Sequence, residues 1–487
     1  MRPNIIIVTA DDMGYGDPGC YGGSRVPTPN IDRIAAEGMR FTDMHASAAV
    51  CTPSRYSMLT GRYCWRTWLR SFVLGGFGAP VIEPERPTLA SFLAGHGYHT
   101  GAVGKWHLGL DWVTTAGRPV AEIERDGWSI DGFEVDYEAE LSGGPLDRGF
   151  EHWFGIAGSL DMPPYCFIEN RKPAQVPKRE KHPYEAQQRR GLMTDDWADD
   201  KVDVRFAQAA RQFMSDHVHA ADGRPFFLYV ATSAPHRPCL PPEFMRGRSS
   251  AGLRGDMVAV YDWVIGEIIE ELELNRLLDN TLLIVTSDHG ARATNFNGKD
   301  YAHNANGDLR GQKGDIYEGG HRVPCVALWP DGVPAGSVCD EPLGHVDLFA
   351  TCAELIDGEL PAAAEDSRSF AAQLRGEGRE SRDHRGQADA PRPVHDALIH
   401  HSMDGMFAVR SGPWKLILGT GSGGNSEPRR YTPLPDQPAG QLYNLEDDHR
   451  ETLNLYHLRP DVVAEQVRDS GPNAHLSTQG ARNGEFA

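Results

Sequence analysis

Acidic residues follow two apolar runs that are typical of buried strands. Asp11 and Asp12 come directly after the first run, and Asp288 with His289 follows a later one. In open α/β sheets ligands bind beyond the carboxyl ends of the strands, so the two pairs could converge on one cation. Carboxylate oxygens are the ligands that Ca²⁺ and Mg²⁺ require. Taken singly, each pair could instead be a turn or a helix cap, because Asp is common in turns.

Basic residues stand at further predicted strand ends. Lys105 and His107 lie in the Gly-rich run 104–109, and in an extended chain their side chains face the same side. His236 follows Ser-Ala-Pro beyond another apolar run. Each of these residues alone is typical of a solvated loop. Because Asp, His and Lys recur at the same kind of position, we expect one site built from several strand ends.

A segment beginning at Cys51 predicts a short helix. Thr52 is a suitable N-cap, Pro53 suits the first helical position, and Gly61 is expected to end the helix. Cys51 then lies at the helix N-terminus, where the dipole is expected to lower its thiol pKa and to favour anions, with Arg55 one turn away. The alternative is an inert buried cysteine.

The elements that position these residues are short β-branched runs that alternate with helical patterns. The strand-like runs are 5–8, 226–230, 282–285 and 323–328. Helical patterns lie between them, from Thr28 to Gly38 and from Met257 to Leu272. Strands that alternate with helices predict an α/β fold with a large, mostly parallel sheet covered by helices on both faces.

The remaining segments predict two domains. Residues 111–200 are interpreted as long loops and residues 360–392 as a surface linker. Beyond the linker, short apolar runs predict a small antiparallel sheet, followed by a closing helix at 460–467. We therefore expect a large α/β domain over residues 1–390 and a smaller α+β subdomain over residues 391–487.

Composition narrows the class of protein. The chain has 487 residues with 48 Lys and Arg against 68 Asp and Glu, a formal net charge of −20 that repels nucleic acids. No apolar run approaches the ~18 residues that span a bilayer, so we expect no membrane anchor. No signal peptide is recognisable, which predicts a cytoplasmic location, or a periplasmic or secreted one if a leader has been removed. The eight cysteines match neither a zinc site nor a disulfide framework.

Several motifs together resemble one enzyme family. The segment from Cys51 to Arg62 fits the signature Cys-x-Pro-Ser-Arg-x-x-x-Leu-Thr-Gly-Arg. Further matches are Asp11-Asp12 and the runs 104–109, 287–290, 311–314 and 317–320. From residue 4 to about residue 455 the chain resembles the arylsulfatase-like, formylglycine-dependent type I sulfatases of the alkaline phosphatase superfamily. The resemblance implies an alkaline phosphatase-like fold and the hydrolysis of a sulfate monoester.

The resemblance also implies a modified residue. Cys51 would be oxidised to Cα-formylglycine by a formylglycine-generating or sulfatase-maturating enzyme, which recognises the motif in the unfolded chain. One hydroxyl of the hydrated aldehyde, coordinated to the metal, then attacks sulfur in line with the departing alcohol. Loss of a proton from the second hydroxyl expels sulfate and restores the aldehyde.

Further roles carry over from the family by position. The implied metal ligands are Asp11, Asp12, Cys51, Asp288 and His289. The implied catalytic groups are Arg55 and Lys105, which polarise the diol, His107, which takes its proton, and Lys313 and His236, which bracket the sulfate. Of the last two, His236 is the expected general acid. Many relatives carry Asn in place of His289, and its nitrogen is a softer ligand than oxygen. Ca²⁺ is the expected ion, with Mg²⁺ and Mn²⁺ as alternatives.

Substrate recognition is expected in the loops around the site, which are 62–86, 112–200 and 291–306. Trp112 could stack on a sugar or aryl ring, although core packing is the commoner role of Trp. Arg292 and His303 could bind a second anionic group or be ordinary loop residues. The expected substrate is a sulfated carbohydrate, with aryl sulfates as further candidates. The alternatives are a phosphate or phosphonate ester hydrolase with the same site, and a non-catalytic binding protein on the same fold.

Overall fold

The computed structural model describes residues 2–220, 222–292, 303–377 and 393–469. The strands in these ranges are β1 Asn4–Asp11, β2 Met39–His45, β3 His99–Lys105, β4 His152–Ile156, β5 Ile168–Glu169, β6 Lys172–Pro173, β7 Arg179–Lys181, β8 Gly191–Met193, β9 Phe226–Pro235, β10 Thr281–Ser287, β11 Arg322–Leu328, β12 Ser337–Cys339, β13 Leu343–Gly344, β14 Leu398–His401, β15 Phe407–Ser411, β16 Trp414–Ile417 and β17 Gln441–Asn444. The α-helices are α1 Pro29–Glu37, α2 Cys51–Thr60, α3 Leu89–Gly95, α4 Val202–Ala220, α5 Gly252–Leu274, α6 Glu318–His321, α7 Leu348–Leu355, α8 Ala371–Leu374 and α9 Pro460–Asp469.

The main sheet has 11 strands in the order β12-β2-β11-β10-β1-β9-β3-β4-β5-β6, with β13 also paired to β2. Its central strands β10, β1, β9, β3 and β4 are parallel to one another. Strand β11 is antiparallel to both β10 and β2. All of the runs predicted as strands fall within β1, β9, β10 and β11. The prediction of a large mixed sheet, mostly parallel, is confirmed.

Helices cover both faces of this sheet, because successive apolar residues of a central strand point to opposite sides. Ile6 and Val8 of β1 belong to the core that is shared with α1, α4 and α5. Ile5 and Ile7 belong to the opposite core, which is shared with α2, α3 and α7. Burial on both faces makes β1 the centre of the fold, and its carboxyl end places Asp11 in the middle of the sheet edge. None of the helices in the described ranges is both long and apolar enough to cross a bilayer.

Two predictions for the connecting segments were wrong. Residues 111–200 contain β4, which extends the main sheet beside β3. Its sequence has a single β-branched residue, so it gives a weak strand pattern. Residues 361–377 are not a surface linker, because Phe370, Ala371 and Leu374 are buried and α8 packs against α7. The rest of the predicted linker, 378–392, lies outside the described residues.

The C-terminal residues form the predicted small antiparallel sheet, in the order β14-β15-β16-β17. Helix α9 packs against β15 and β16. The sheet is tied to the main body by backbone hydrogen bonds from His401 N to Ser47 O at 3.2 Å and from Met403 N to Gly314 O at 2.8 Å. These bonds hold the second sheet close to the segments before Cys51 and around Lys313. The division into domains at residue 390 stays a prediction.

A buried ion-pair cluster also joins the two sheets. Lys415 Nζ lies 2.9 Å from Glu318 Oε1 and 2.9 Å from Glu451 Oε1, and these side chains are at most 1% exposed. We expect Lys415→Met to lower the free energy of unfolding by about 3–5 kcal/mol, because the buried Glu451 then loses its cation and Glu318 loses the closer of its two cations, Lys415 and Arg322. Urea unfolding followed by circular dichroism measures the change. The control is Lys172→Met, which removes an exposed partner of Glu140 and should cost less than about 1 kcal/mol. Equal losses in the two variants would contradict the assignment.

The burial of His401 predicts that the free energy of unfolding depends on pH. His401 is 1% exposed beside Trp65, and burial lowers its pKa from 6.5 to about 4. Between these values the unfolded chain binds more protons than the folded one, so stability is lost as the pH falls through this window. When the pH is lowered from 7 to 5, the wild type should lose about 2 kcal/mol more of its free energy of unfolding than His401→Gln does. Urea unfolding at the two pH values measures this, with the exposed His457→Gln as a control that keeps the wild-type dependence.

Candidate active site

Four candidate ligand groups converge at the carboxyl ends of β1 and β10 and at the start of α2. Asp11 is the last residue of β1, and Asp12 follows it with a φ of 73°. His289 lies just beyond β10, and Cys51 is the first residue of α2. One ligand atom from each of these residues lies within 4.8 Å of the others. The structure therefore brings the two acidic strand ends together around the Cys51 side chain.

The donor set fits a divalent cation. Asp11, Asp12 and Asp288 are at most 6% exposed, and buried carboxylates repel one another unless cations lie between them. His289 Nδ1 donates to Gly290 O at 3.0 Å, which leaves Nε2 facing the cluster, 3.4 Å from both Asp12 Oδ1 and Asp288 Oδ1. Metal-binding histidines typically have their second ring nitrogen held in this way. The residues present thus supply carboxylate oxygens and one correctly oriented nitrogen.

Two buried cations hold the carboxylates in place. Arg55 donates from Nε and Nη2 to Asp288 Oδ2 at 3.1 and 2.9 Å, and its Nη2 lies 3.7 Å from Asp11 Oδ1. Lys105 Nζ donates to Asp11 Oδ2 at 2.7 Å. Burial acts to raise the pKa of Asp11, but the charges of Lys105, His236 and Arg55 hold it well below its usual range. The carboxylate is therefore ionised and ready to bind a cation.

The start of α2 differs from the prediction. Val50, in extended conformation, is the N-cap, and the helix begins at Cys51. The Thr52 hydroxyl is engaged elsewhere, since it donates to His107 O at 2.9 Å and accepts from Leu74 N at 3.2 Å. The expected lowering of the Cys51 thiol pKa was also wrong, because burial raises this pKa above its usual range. The unmodified side chain is a neutral thiol, which is a poor nucleophile.

His107 has the geometry of a neutral base. It adopts a φ of 54°, and its Nε2 donates to Leu74 O at 2.7 Å. Its Nδ1 is buried and has no hydrogen-bond partner among the described residues. Burial and the neighbouring Lys105 hold the pKa of His107 well below its usual range. The imidazole is therefore neutral, with a proton on Nε2 and an open lone pair on Nδ1.

Lys313 and His236 lie on the Asp12 side of the cluster. Lys313 Nζ donates to Asp12 Oδ1 at 2.6 Å and lies 3.7 Å from Cys51 Sγ. Burial acts to lower the pKa of Lys313, but Asp12 raises it above the usual range, so the ammonium keeps its charge. His236 Nε2 is 4.0 Å from Asp12 Oδ2. Both side chains predicted to contact sulfate thus stand beside the same carboxylate.

Trp112, proposed from the sequence for substrate stacking, lies in the hydrophobic core. It is 2% exposed and packs edge-to-face against Phe77 and Tyr137. Its ring therefore presents no open face to a ligand. The reason is that residues on both sides of it fold back over the ring, which the sequence pattern of this loop does not reveal. Trp112 is therefore a core residue, which was the alternative to substrate stacking.

Arg292 and His303, the other two proposed substrate contacts, differ in their placement. Burial and Arg237 lower the pKa of Arg292 while Asp12 raises it, so the guanidinium lies within electrostatic reach of the cluster. His303 Nε2 lies 2.7 Å from Asp17 Oδ1, an oxygen that Arg254 also contacts. Substrate binding by Arg292 and His303 stays a prediction. The segment 293–302, which belongs to a predicted substrate loop, lies outside the described residues.

Sequence reasoning missed two residues that support the site. Ser54 Oγ donates to Asp288 O at 2.5 Å, and Asn425 Nδ2 donates to Lys313 O at 2.7 Å. Ser54 lies within the signature motif, so its position was an available clue. Asn425 comes from the C-terminal part of the chain, 112 residues from Lys313, and no local pattern identifies it.

Comparisons with known proteins agree with this site. Residues 3–358 match the family model described as Sulfatase. The chain is 31% identical to N-acetylgalactosamine-6-O-sulfatase of Bacteroides thetaiotaomicron, over 95% of this chain and 91% of that protein. It is also 31% identical to human arylsulfatase A, over 93% of this chain and 83% of that protein.

A solved structure shows the same fold along the whole chain. It is described as 6S-sulf, in connection with the metabolism of multiple glycosaminoglycans by Bacteroides thetaiotaomicron, and it shares 28% identity with this chain at a TM-score of 0.80. The match covers 98% of this chain and 99% of that one. Members of the family generally use a formylglycine and a divalent metal. The chain belongs to the Sulfatase family, and it is a hydrolase of sulfate esters.

Proposed function

We propose that this sulfatase removes sulfate from a sulfated saccharide and that its substrate carries a 6-O-sulfate on N-acetylgalactosamine. The observation that carries the proposal is the group of cations around Cys51, formed by the buried Arg55 and Lys105 and the partly buried Lys313, with His236 beside them. Such fixed charges stabilise a sulfuryl group better than water does. The choice of sugar is supported by the N-acetylgalactosamine-6-O-sulfatase relative.

The chain's own residues divide the chemistry between two sides of Cys51. On one side, His107 holds an open Nδ1 that can take a proton from the modified side chain, which in this family supplies an aldehyde hydrate. On the other side, Lys313 and His236 would bind the sulfate oxygens and the bridging oxygen, which is supported by the position of Lys313 beside Cys51 and of His236 beside Asp12. Because His236 Nδ1 donates to Arg237 O at 2.8 Å, Nε2 carries a proton only in the doubly protonated imidazole, and in that form Nε2 would protonate the leaving alcohol.

A divalent ion would be held by Asp11, Asp12, Asp288, His289 and the modified Cys51. When bound, it would polarise the attacking oxygen and offset negative charge on the sulfate. We take the ion to be Ca²⁺, because three of the donors are hard carboxylates, although the His289 nitrogen also suits Mn²⁺. The signature around Cys51 makes a formylglycine-generating or sulfatase-maturating enzyme the partner that prepares the site.

The test compares desulfation of matched substrates by the mature enzyme. We expect kcat/KM for 6-O-sulfated N-acetylgalactosamine to exceed that for the 4-O-sulfated isomer by at least about tenfold, because the sulfate must reach the buried cluster with its ring correctly oriented. An aryl sulfate and an aryl phosphate are assayed in parallel. Preference for the 4-O-sulfate would overturn the assigned position. Faster turnover of the phosphate than of any sulfate would overturn the proposed substrate class.

A further inference from the structure

An Asp–Arg ion pair lies directly beside His236. Arg237 follows His236 in the chain, and its Nε donates to Asp161 Oδ2 at 2.9 Å. The Asp161 side chain is 8% exposed, and the Arg237 side chain is 21% exposed. The backbone of the loop is also fixed, since Arg189 N donates to Asp161 O at 2.8 Å. Asp161 is thus a rigidly held carboxylate that contacts Arg237, the residue next to the expected general acid His236.

One oxygen of this carboxylate lacks a partner. Oδ1 of Asp161 is buried and makes no hydrogen bond to any residue in the described ranges. Glu185, whose charge acts on the same Arg237, also has a buried oxygen, Oε1, without a partner in those ranges. A buried acceptor left unsatisfied costs about 1–3 kcal/mol, so such atoms call for a donor. Two of them at one place, next to the site of bond cleavage, indicate a position for ligand hydroxyl groups.

Electrostatics favour a neutral donor at this position. Asp161 is held near the imidazole by Arg237, the residue that follows His236 in the chain. Asp161 is ion-paired with Arg237, and an ionised carboxylate only accepts hydrogen bonds, so a second sulfate or a uronic acid carboxylate could form no hydrogen bond with its free oxygen. A sugar hydroxyl can donate to that oxygen. Lys313 and His236, on the Asp12 side, would hold the sulfate, which leaves Asp161 for the ring.

We propose that Asp161, positioned by Arg237, accepts a hydrogen bond from a ring hydroxyl of the sugar that carries the sulfate. The inference rests on the proposed saccharide substrate and assigns a specificity determinant for it. Asp161 acts by orienting the ring relative to His236 and is not itself a proton donor. An aryl sulfate has no hydroxyl at this place and cannot use the contact.

The test measures Asp161→Asn on two substrates, the 6-O-sulfated saccharide and an aryl sulfate. We expect kcat/KM for the saccharide to fall by about tenfold to a hundredfold more than kcat/KM for the aryl sulfate, because the amide replaces an ionised acceptor. The matched control is Asp147→Asn, which alters another Asp–Arg pair, with Arg171 at 2.6 Å, on the exposed surface. This control should lower the two rates equally or not at all. An equal fall on both substrates in Asp161→Asn would overturn the proposal.

Deoxygenated saccharides test the same contact without any change to the protein. Wild-type kcat/KM should fall by about tenfold to a hundredfold for one analogue that lacks a single ring hydroxyl, and the same deletion should cost Asp161→Asn almost nothing. If every monodeoxy analogue reacts as fast as the parent sugar, Asp161 does not bind a hydroxyl, whether or not the variant folds. If the wild type desulfates no saccharide at all, the proposed function fails instead, and the two failures are therefore distinguishable.

Discussion

Cys51→Ala is expected to abolish turnover of every sulfate ester, with a fall in kcat/KM on the order of 10⁴-fold or more. The reason is that alanine cannot be converted to an aldehyde, and none of the surrounding side chains can replace the lost oxygen nucleophile. The buried, neutral thiol already shows that the unmodified cysteine is a poor nucleophile. We therefore also expect protein produced without a maturating enzyme to be inactive although it is folded.

Mass spectrometry of the tryptic peptide 41–55 separates the two forms of Cys51. Activity across preparations should rise in proportion to the fraction of this peptide that carries the aldehyde. The matched control is Cys64→Ala, another buried cysteine, which packs in the hydrophobic core and whose Sγ hydrogen-bonds to Thr67 Oγ1 and Leu69 O. Cys64→Ala should cost stability through a small cavity and leave kcat/KM within about threefold of the wild type. Turnover by Cys51→Ala at the wild-type rate would disprove the assigned nucleophile.

The parts of the fold that follow from local patterns could be predicted from the sequence. Continuous apolar runs identified β1, β9, β10 and β11, because a strand that is buried on both faces has apolar residues at successive positions and no alternation with polar ones. The same logic placed Asp11 and Asp288 at strand ends that meet in the structure. Strand β4 and helix α8 were missed, since one has little β-branched character and the other has only four residues. Their conformation is set by tertiary packing and not by local preference.

The candidate site was predictable in its residue types but not in its electrostatics. The motifs named Cys51 and its neighbours, and the structure brings them within contact distance. The helix dipole was expected to dominate the thiol pKa, but complete burial outweighs it, and burial depends on the whole fold. The contact of Asn425 with Lys313 and the ion pair of Asp161 with Arg237 join residues far apart in the chain. Such pairings have no signature in a single sequence.

The charges around Cys51 explain how the site can fold before a metal binds. Three carboxylates, Asp11, Asp12 and Asp288, face three cations, Lys105, Lys313 and Arg55, in hydrogen-bonded pairs. The pairs offset the cost of burying each charge alone. A divalent ion then adds positive charge that the ionised carboxylates can bind, because Lys105, His236 and Arg55 hold the pKa of Asp11 well below its usual range. Metal binding is thus expected to stabilise the folded protein without being required for folding.

Removal of the divalent ion is the second prediction with a very large expected effect. Chelation should lower kcat/KM by about 10³-fold or more, and Ca²⁺ should restore it, because the ion stabilises charge at the reacting oxygens. At about 100 times its Kd, Ca²⁺ should add roughly 2.7 kcal/mol to the free energy of unfolding, which raises Tm by several degrees. Asp12→Ala should lose both responses, since it removes a ligand and the partner of Lys313.

His289→Asn is the matched variant for this experiment. It replaces a nitrogen ligand with an amide oxygen, so it should keep the rise in Tm with Ca²⁺ and weaken the response to Mn²⁺. The measurements are sulfate release and thermal unfolding in parallel, on protein whose metal content has been determined by elemental analysis. Full activity in chelated, metal-free enzyme would contradict the metal site. A rise in Tm of Asp12→Ala equal to that of the wild type would show that the ion binds elsewhere, because among the described residues Asp12 belongs only to the candidate metal group around Cys51.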